Sequence, residues 1–321
     1  MWFEIAAIVA GLLLVAWGAD RVVTGASVIA RALNVPPLLI GLTVVGFATS
    51  LPEVLVSATA ALAGAPNLAV ANALGSNIAN IGLVTATAAI VRPLHINSPT
   101  LRSELPVMLA VSVAPVLIFP DGVLSRLDGL LLLTGLVGFG VWVTRLGLRT
   151  RGKDPIESEY AAEIAADLAP QRAALLVVVG LICLGVGSES LVGGSTKLAV
   201  RLGISDLIIG LTVVAIGTSL PELAVSVVSA RKGELGLALG NVIGSNTFNT
   251  LAVIGVAGAI RPATLEPAAV ILHLPVMLAF TLAFFFFAYN SGHLIKVSRR
   301  AGWVLLSGYV GYLAYLVSAV L

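Results

Sequence analysis

Two glutamates, Glu53 and Glu222, lie inside long apolar runs, and each is presented by the same short motif. Gly41-Leu42-Thr43-Val44-Val45 followed by Thr49-Ser50-Leu51-Pro52-Glu53 returns 169 residues later as Gly210-Leu211-Thr212-Val213-Val214 followed by Thr218-Ser219-Leu220-Pro221-Glu222. A carboxylate at membrane depth is costly and is usually kept to hold something positive or to pass a proton. A matched pair of them points to one symmetric cation site, and so to transport.

The neighbouring residues supply the other oxygens such a site needs. Pro52 and Pro221 lack an amide hydrogen and crowd the carbonyl one turn earlier, so a helix opens at each. The carbonyls from Gly46 to Ala48, and from Ala215 to Gly217, are thereby offered to a cation. Thr49, Ser50, Thr218 and Ser219 add hydroxyls. A second repeated motif, Gly-Ser-Asn-x-x-Asn, brings Ser76, Asn77 and Asn80 in one copy and Ser245, Asn246 and Asn249 in the other. Its serine and last asparagine are four apart and share a helical face, and its glycine is expected to admit a close helix neighbour. This inventory is all oxygen, which suits hard cations such as Ca²⁺ and Na⁺ and not copper or zinc. The single Cys183 is expected in helix packing, and His95, His273 and His293 fall near span ends. No resident cofactor is called for. Two glutamates neutralise one Ca²⁺ or two Na⁺, so coupling of more than two Na⁺ per Ca²⁺ would move net charge.

These residues must be held by membrane helices. The chain is 58% hydrophobic and 11% charged, which excludes an ordinary soluble domain. About 20 apolar residues cross a bilayer as a helix. The expected spans are near 3–19, 38–63, 70–91, 104–119, 127–146, 173–190, 207–229, 236–260, 268–288 and 302–321, ten in all. Two-residue alternation is absent, which argues against a β-barrel. Of the Lys and Arg residues, fourteen fall in the connections after odd-numbered spans and four on the other side. That asymmetry places the fourteen in the cytoplasm and both termini outside, in an integral membrane protein expected in a prokaryotic inner membrane. The start Met1-Trp2-Phe3-Glu4 lacks the basic region of a signal peptide. Trp2, Trp142 and Trp303 are expected as interfacial anchors, and Phe284–Phe287 as a lipid-facing run.

The repeat reaches well past the glutamates. At the same offset Asp20 answers Glu189, Arg92-Pro93 answers Arg261-Pro262, and Leu105-Pro106-Val107-Met108-Leu109-Ala110 returns unaltered at 274–279. The chain reads as a first repeat at 1–146, a cytoplasmic linker at 147–172 and a second repeat at 173–321. Five spans per half is odd, so the second copy enters the membrane inverted, the arrangement that places substrate near the midplane between halves. In the linker Glu159, Glu163 and Asp167 share a solvated helical face.

Both copies resemble the α-repeats of the cation/calcium exchanger superfamily, in the sodium/calcium exchanger branch typical of prokaryotes. The resemblance covers essentially the whole chain. It implies an all-α polytopic protein of ten transmembrane helices in two inverted five-helix repeats. It implies that Glu53 and Glu222 bind the central ions, with Thr49, Ser50, Ser76, Asn80, Thr218, Ser219, Ser245 and Asn249 and the carbonyls of Gly46 and Ala215. It further implies that the first and sixth helices slide across the rest to alternate access. The Gly-Asn-x-x-Glu signature of proton/calcium exchangers is not found in the sequence. Asn249 stands where potassium-dependent and certain archaeal members carry aspartate, which argues against potassium co-transport.

The expected function is a secondary antiporter exchanging Na⁺ for Ca²⁺. A proton-coupled antiporter is the near alternative; an intramembrane enzyme or a non-transporting scaffold is the remote one. The expected partners are the lipid bilayer and the transported ions, with no nucleic acid and no obligate protein partner.

Overall fold

A computed structural model of the chain describes residues 2–35, 37–96, 99–150, 168–201, 215–289 and 295–318. The first half contains α1 (Trp2–Ala32), α2 (Pro37–Ile40), a π-helical turn Gly41–Val45, α3 (Gly46–Thr49), α4 (Leu51–Leu62), α5 (Pro66–Ala79), a π-helical stretch Asn80–Thr85 and α6 (Ala86–Val91). It continues with β1 (Leu94–Ile96), α7 (Pro99–Ile118), β2 (Val123–Leu124) and α8 (Arg126–Thr150). The second half contains α9 (Pro170–Arg201), α10 (Ala215–Thr218), α11 (Leu220–Lys232), α12 (Leu235–Phe248), a π-helical turn Asn249–Val253 and α13 (Ile254–Ile260). Then come β3 (Ala263–Thr264), a π-helical turn Ala269–His273, α14 (Leu274–Tyr289), β4 (Ile295–Val297) and α15 (Arg299–Ser318).

The protein is a helical membrane protein. Among the described residues, eight helices are long and apolar enough to cross a bilayer, and a ninth, Glu104–Ile118, is apolar but shorter. The seventh expected span, 207–229, begins in residues outside the description and ends in α11. The linker acids Glu157, Glu159, Glu163 and Asp167 also lie outside it. Two spans outrun the sequence expectation: α1 continues to Ala32 and α9 to Arg201. Apolar composition marks where a helix meets hydrocarbon, whereas backbone hydrogen bonding carries it onward into polar residues.

The two halves run in opposite directions, and the packing shows it directly. Arg92, at the end of α6, lies against Gly233, just before α12 begins; Arg261, at the end of α13, lies against Gly64, just before α5 begins. The continuous helices 66–91 and 235–260 are therefore antiparallel. So are α1 and α9, whose backbones touch through glycines. A β-carbon built on Gly11 would sit 2.7 Å from the Gly187 carbonyl oxygen, and one on Gly18 would sit 2.7 Å from that of Gly180. Each half also gives a strand to the other, β1 pairing antiparallel with β4 and β2 with β3.

The 66–91 and 235–260 helices form the centre, with α4 and α11 beside them. A second apolar cluster joins α1 and α9, through Val15, Val22 and Leu184, to Ile40, Val45, Val225 and Leu237 of the neighbouring elements. Only part of Phe284–Phe287 faces outward. Phe286 is exposed, but Phe284 is fully buried, because four successive helical residues cannot all lie on one face.

Candidate cation site

In both halves the Thr-Ser-x-Pro-Glu motif breaks a helix and restarts it. Ser50 (φ −85°, ψ 1°) and Ser219 (φ −91°, ψ 7°) leave helical geometry. Each proline then occupies the first turn of the next helix, where its missing N–H costs nothing. This puts Glu53 in the first turn of α4 and Glu222 in the first turn of α11, facing unpaired backbone N–H groups that favour negative charge. The Gly46 carbonyl still accepts the Ser50 N–H at 3.2 Å. By chain arithmetic the carbonyl that Pro52 deprives is Ala48, so the opening is narrower than the 46–48 expected from sequence.

The motifs of the two halves meet. Ser50 donates its hydroxyl to Glu222 Oε1 at 3.3 Å, and Ser245 donates to the Gly46 carbonyl at 3.3 Å. The Thr49 and Ser245 hydroxyls are 3.4 Å apart. Gly244 fits directly against the Leu42 backbone, as its motif glycine should, while Gly75 has no neighbour within 4 Å among the described residues. The segment related to Leu42 by the repeat, at Leu211, lies outside them.

Nearly all the expected donors are withdrawn from solvent. Thr49, Ser50, Glu53, Ser76, Asn80, Ser219, Glu222, Ser245 and Asn249 are all buried; Thr218 is half-buried, and Ala215 opens α10. Several of them have no hydrogen-bond partner among the described residues: both carboxylate oxygens of Glu53, Oε2 of Glu222, the Ser219 hydroxyl, and both amide atoms of Asn80 and Asn249. Buried polar groups are otherwise almost always paired. Asn80 and Asn249 each open a π-helical segment, a geometry that recurs at functional sites.

Two asparagines outside the expected set brace this arrangement. Asn241 donates to the Glu222 carbonyl at 3.2 Å and to Ser226 at 3.0 Å, and accepts from Thr49 at 3.2 Å. Its counterpart Asn72 donates to Ser57 at 3.3 Å. Both pairs recur at the 169-residue offset, the signal by which they could have been found. Asn77 joins the halves in another way, donating to Thr250 at 2.9 Å.

Among the described residues no three His, Cys, Asp or Glu side chains converge. The candidate donor set is two carboxylates among neutral oxygens. This geometry accompanies a clear pattern of kinship. The family described as sodium/calcium exchanger protein matches residues 3–145 and 172–318. The chain belongs to the sodium/calcium exchanger family. Members are membrane transporters and not enzymes. The chain is 41% identical to the inner membrane protein YrbG of Escherichia coli, over 98% of this chain and 97% of that one. It is 32% identical to the sodium/calcium exchanger MaX1 of Methanosarcina acetivorans, over 95% and 96%. The solved sodium/calcium exchanger of Methanococcus jannaschii superposes with a TM-score of 0.84 at 34% identity, covering 97% of this chain and 98% of that one.

Proposed function

We propose that this exchanger couples inward Na⁺ to outward Ca²⁺ across a prokaryotic inner membrane, at a single site shared by Glu53 and Glu222. The observation that carries the reading is the group of buried oxygens without hydrogen-bond partners, drawn from both halves of an inverted repeat. A hard cation would satisfy them together, the carboxylates supplying charge and the serines, threonines and asparagines completing the coordination. Gly46, Thr49, Ser50, Ser76 and Asn80 serve from the first half, and Ala215, Thr218, Ser219, Ser245 and Asn249 from the second. Repeats at 1–146 and 173–321, joined by a cytoplasmic linker, would set both termini outside.

The chemistry then follows from charge. Two carboxylates hold one Ca²⁺ or two Na⁺ at neutrality, so Na⁺ displaces Ca²⁺ by mass action on the side where Na⁺ is abundant. Access alternates as α1 and α9 shift together across the remaining helices. Their glycine contacts with each other support movement as one body. Vesicles loaded with Na⁺ should accumulate ⁴⁵Ca²⁺ on dilution into Na⁺-free medium. Uptake that follows a pH gradient and ignores Na⁺ would replace this reading with proton coupling.

A further inference from the structure

A second polar feature lies far along the chain from the glutamates, where α14, β4 and α15 meet. A cavity of about 570 Å³ there is lined by Phe287, Lys296, Ser298, Arg299, Arg300 and Ala301, among others. Arg299 is committed, its Nε donating to the Ile90 carbonyl at 3.0 Å and its Nη2 to that of Val91 at 3.3 Å. Lys296 and Arg300 are exposed and have no carboxylate partner among the described residues.

The inverted repeat provides an internal control. The corresponding corner lies between α7, β2 and α8, with Ser125, Arg126 and Gly129 in the places of Ser298, Arg299 and Gly302. The register is fixed by packing: Gly302 lies against Ala86 and Ile90, and Gly129 against their counterparts Gly255 and Ala259. In that corner Val123 stands for Lys296, Leu127 for Arg300 and Asp128 for Ala301. Asp128 accepts from the Ser125 N–H at 2.8 Å and hydroxyl at 2.6 Å, so that corner supplies its own anion. The second copy has lost that carboxylate and gained two cations. The fold stands without either change, since the first corner manages with valine and leucine.

From this contrast we infer that the α14–β4–α15 corner binds the phosphate of an anionic phospholipid. Two cations that lack a carboxylate partner among the described residues, set around a cavity, match a phosphate group. A lipid is the source that fits, because the two helices that flank the cavity carry exposed apolar side chains, Phe286 on α14 and Trp303 and Val304 on α15. Acyl chains would lie along these helices, with the headgroup at the basic corner.

The test uses the purified full chain in neutral detergent, titrated with phosphatidylglycerol, phosphatidylcholine or inorganic phosphate. Native mass spectrometry reads bound lipid and thermal unfolding reads stabilisation. Phosphatidylglycerol should bind at least about tenfold tighter than phosphatidylcholine, and millimolar phosphate should not displace it. Lys296→Val/Arg300→Leu should erase that preference. Ala301→Asp should weaken it about tenfold, because it restores an internal anion while keeping both cations. Both variants borrow residues that the other corner already carries, and unfolding curves show whether they fold. Equal binding of the two lipids, an unaltered preference in the folded double variant, or full displacement by inorganic phosphate would each overturn the inference. The first two outcomes would leave the cations as topology signals only; the third would make this a site for free anions. None bears on the exchange reading.

Discussion

Glu222 and Glu53 occupy equivalent places in the two halves, yet their surroundings differ. Glu222 is held: Ser50 reaches one of its oxygens, and Asn241 clamps its backbone carbonyl to Ser226 and Thr49. Among the described residues Glu53 has no hydrogen-bond partner for either oxygen, and the Asn72 side chain has one hydrogen bond there, to Ser57. Gly244 is pressed against the Leu42 backbone, while no described residue comes within 4 Å of a β-carbon built on Gly75. One motif thus takes on two environments. Two halves in identical surroundings would favour neither face of the membrane, and an alternating-access carrier needs that inequality.

The comparison can be broken at several points. The largest effect is expected at the acids. Glu53→Gln and Glu222→Gln should each reduce Na⁺-dependent ⁴⁵Ca²⁺ flux about a hundredfold or more, because loss of one carboxylate leaves a divalent ion uncompensated. Normal flux in either folded variant would remove that carboxylate from the site. Next come the braces. Asn241→Ala strands three partners, so apparent Ca²⁺ affinity should fall about tenfold; Asn72→Ala, with one partner, should cost roughly threefold or less. Equal losses would show that the inequality of the halves does not matter to binding.

Asn249→Asp adds a third charge to a donor that lacks a partner. It should change the Na⁺/Ca²⁺ preference or its pH dependence, which flux competition between the two ions at several pH values would reveal. Identical profiles would place Asn249 outside the coordination.

The smallest effect is at Glu234, which precedes α12 at the end of the membrane where Lys232 of α11 pairs with Asp20 of α1 at 2.6 Å. Burial pushes the Glu234 carboxyl above the usual carboxylate range, with Ser27, Arg31 and Lys232 opposing. The folded protein therefore holds this proton more tightly than the unfolded chain. Its contribution is greatest below the ordinary carboxylate range and is lost as pH rises through the raised value. Glu234→Gln should flatten that limb of thermal stability against pH; an unchanged curve would exclude the effect.

Much of the proposed site was legible because duplication acts as an internal alignment. Residues that return at 169 stand out, and Glu53, Glu222, Ser245 and Asn249 of the proposed site were picked out that way. Asn241 and Asn72 carried the same signal and were passed over, since an asparagine outside a motif reads as ordinary helix polarity. Helix ends were legible less well. Hydropathy cannot see that α1 and α9 continue through charged turns, because the backbone bonds that extend them are the same in every sequence.

Sequence alone determined that the chain crosses the membrane repeatedly, that it consists of two related halves, and that each half brings one acid on a proline-broken helix. Those properties follow from composition, periodicity and the missing proline N–H, all local to the chain. Tertiary structure decided that helices 66–91 and 235–260 lie antiparallel, that Ser50 of one half reaches Glu222 of the other, and that Lys296 and Arg300 gather at a cavity with no carboxylate partner among the described residues. Such contacts join residues more than a hundred positions apart, and the packing of the assembled helices alone selects which of them form.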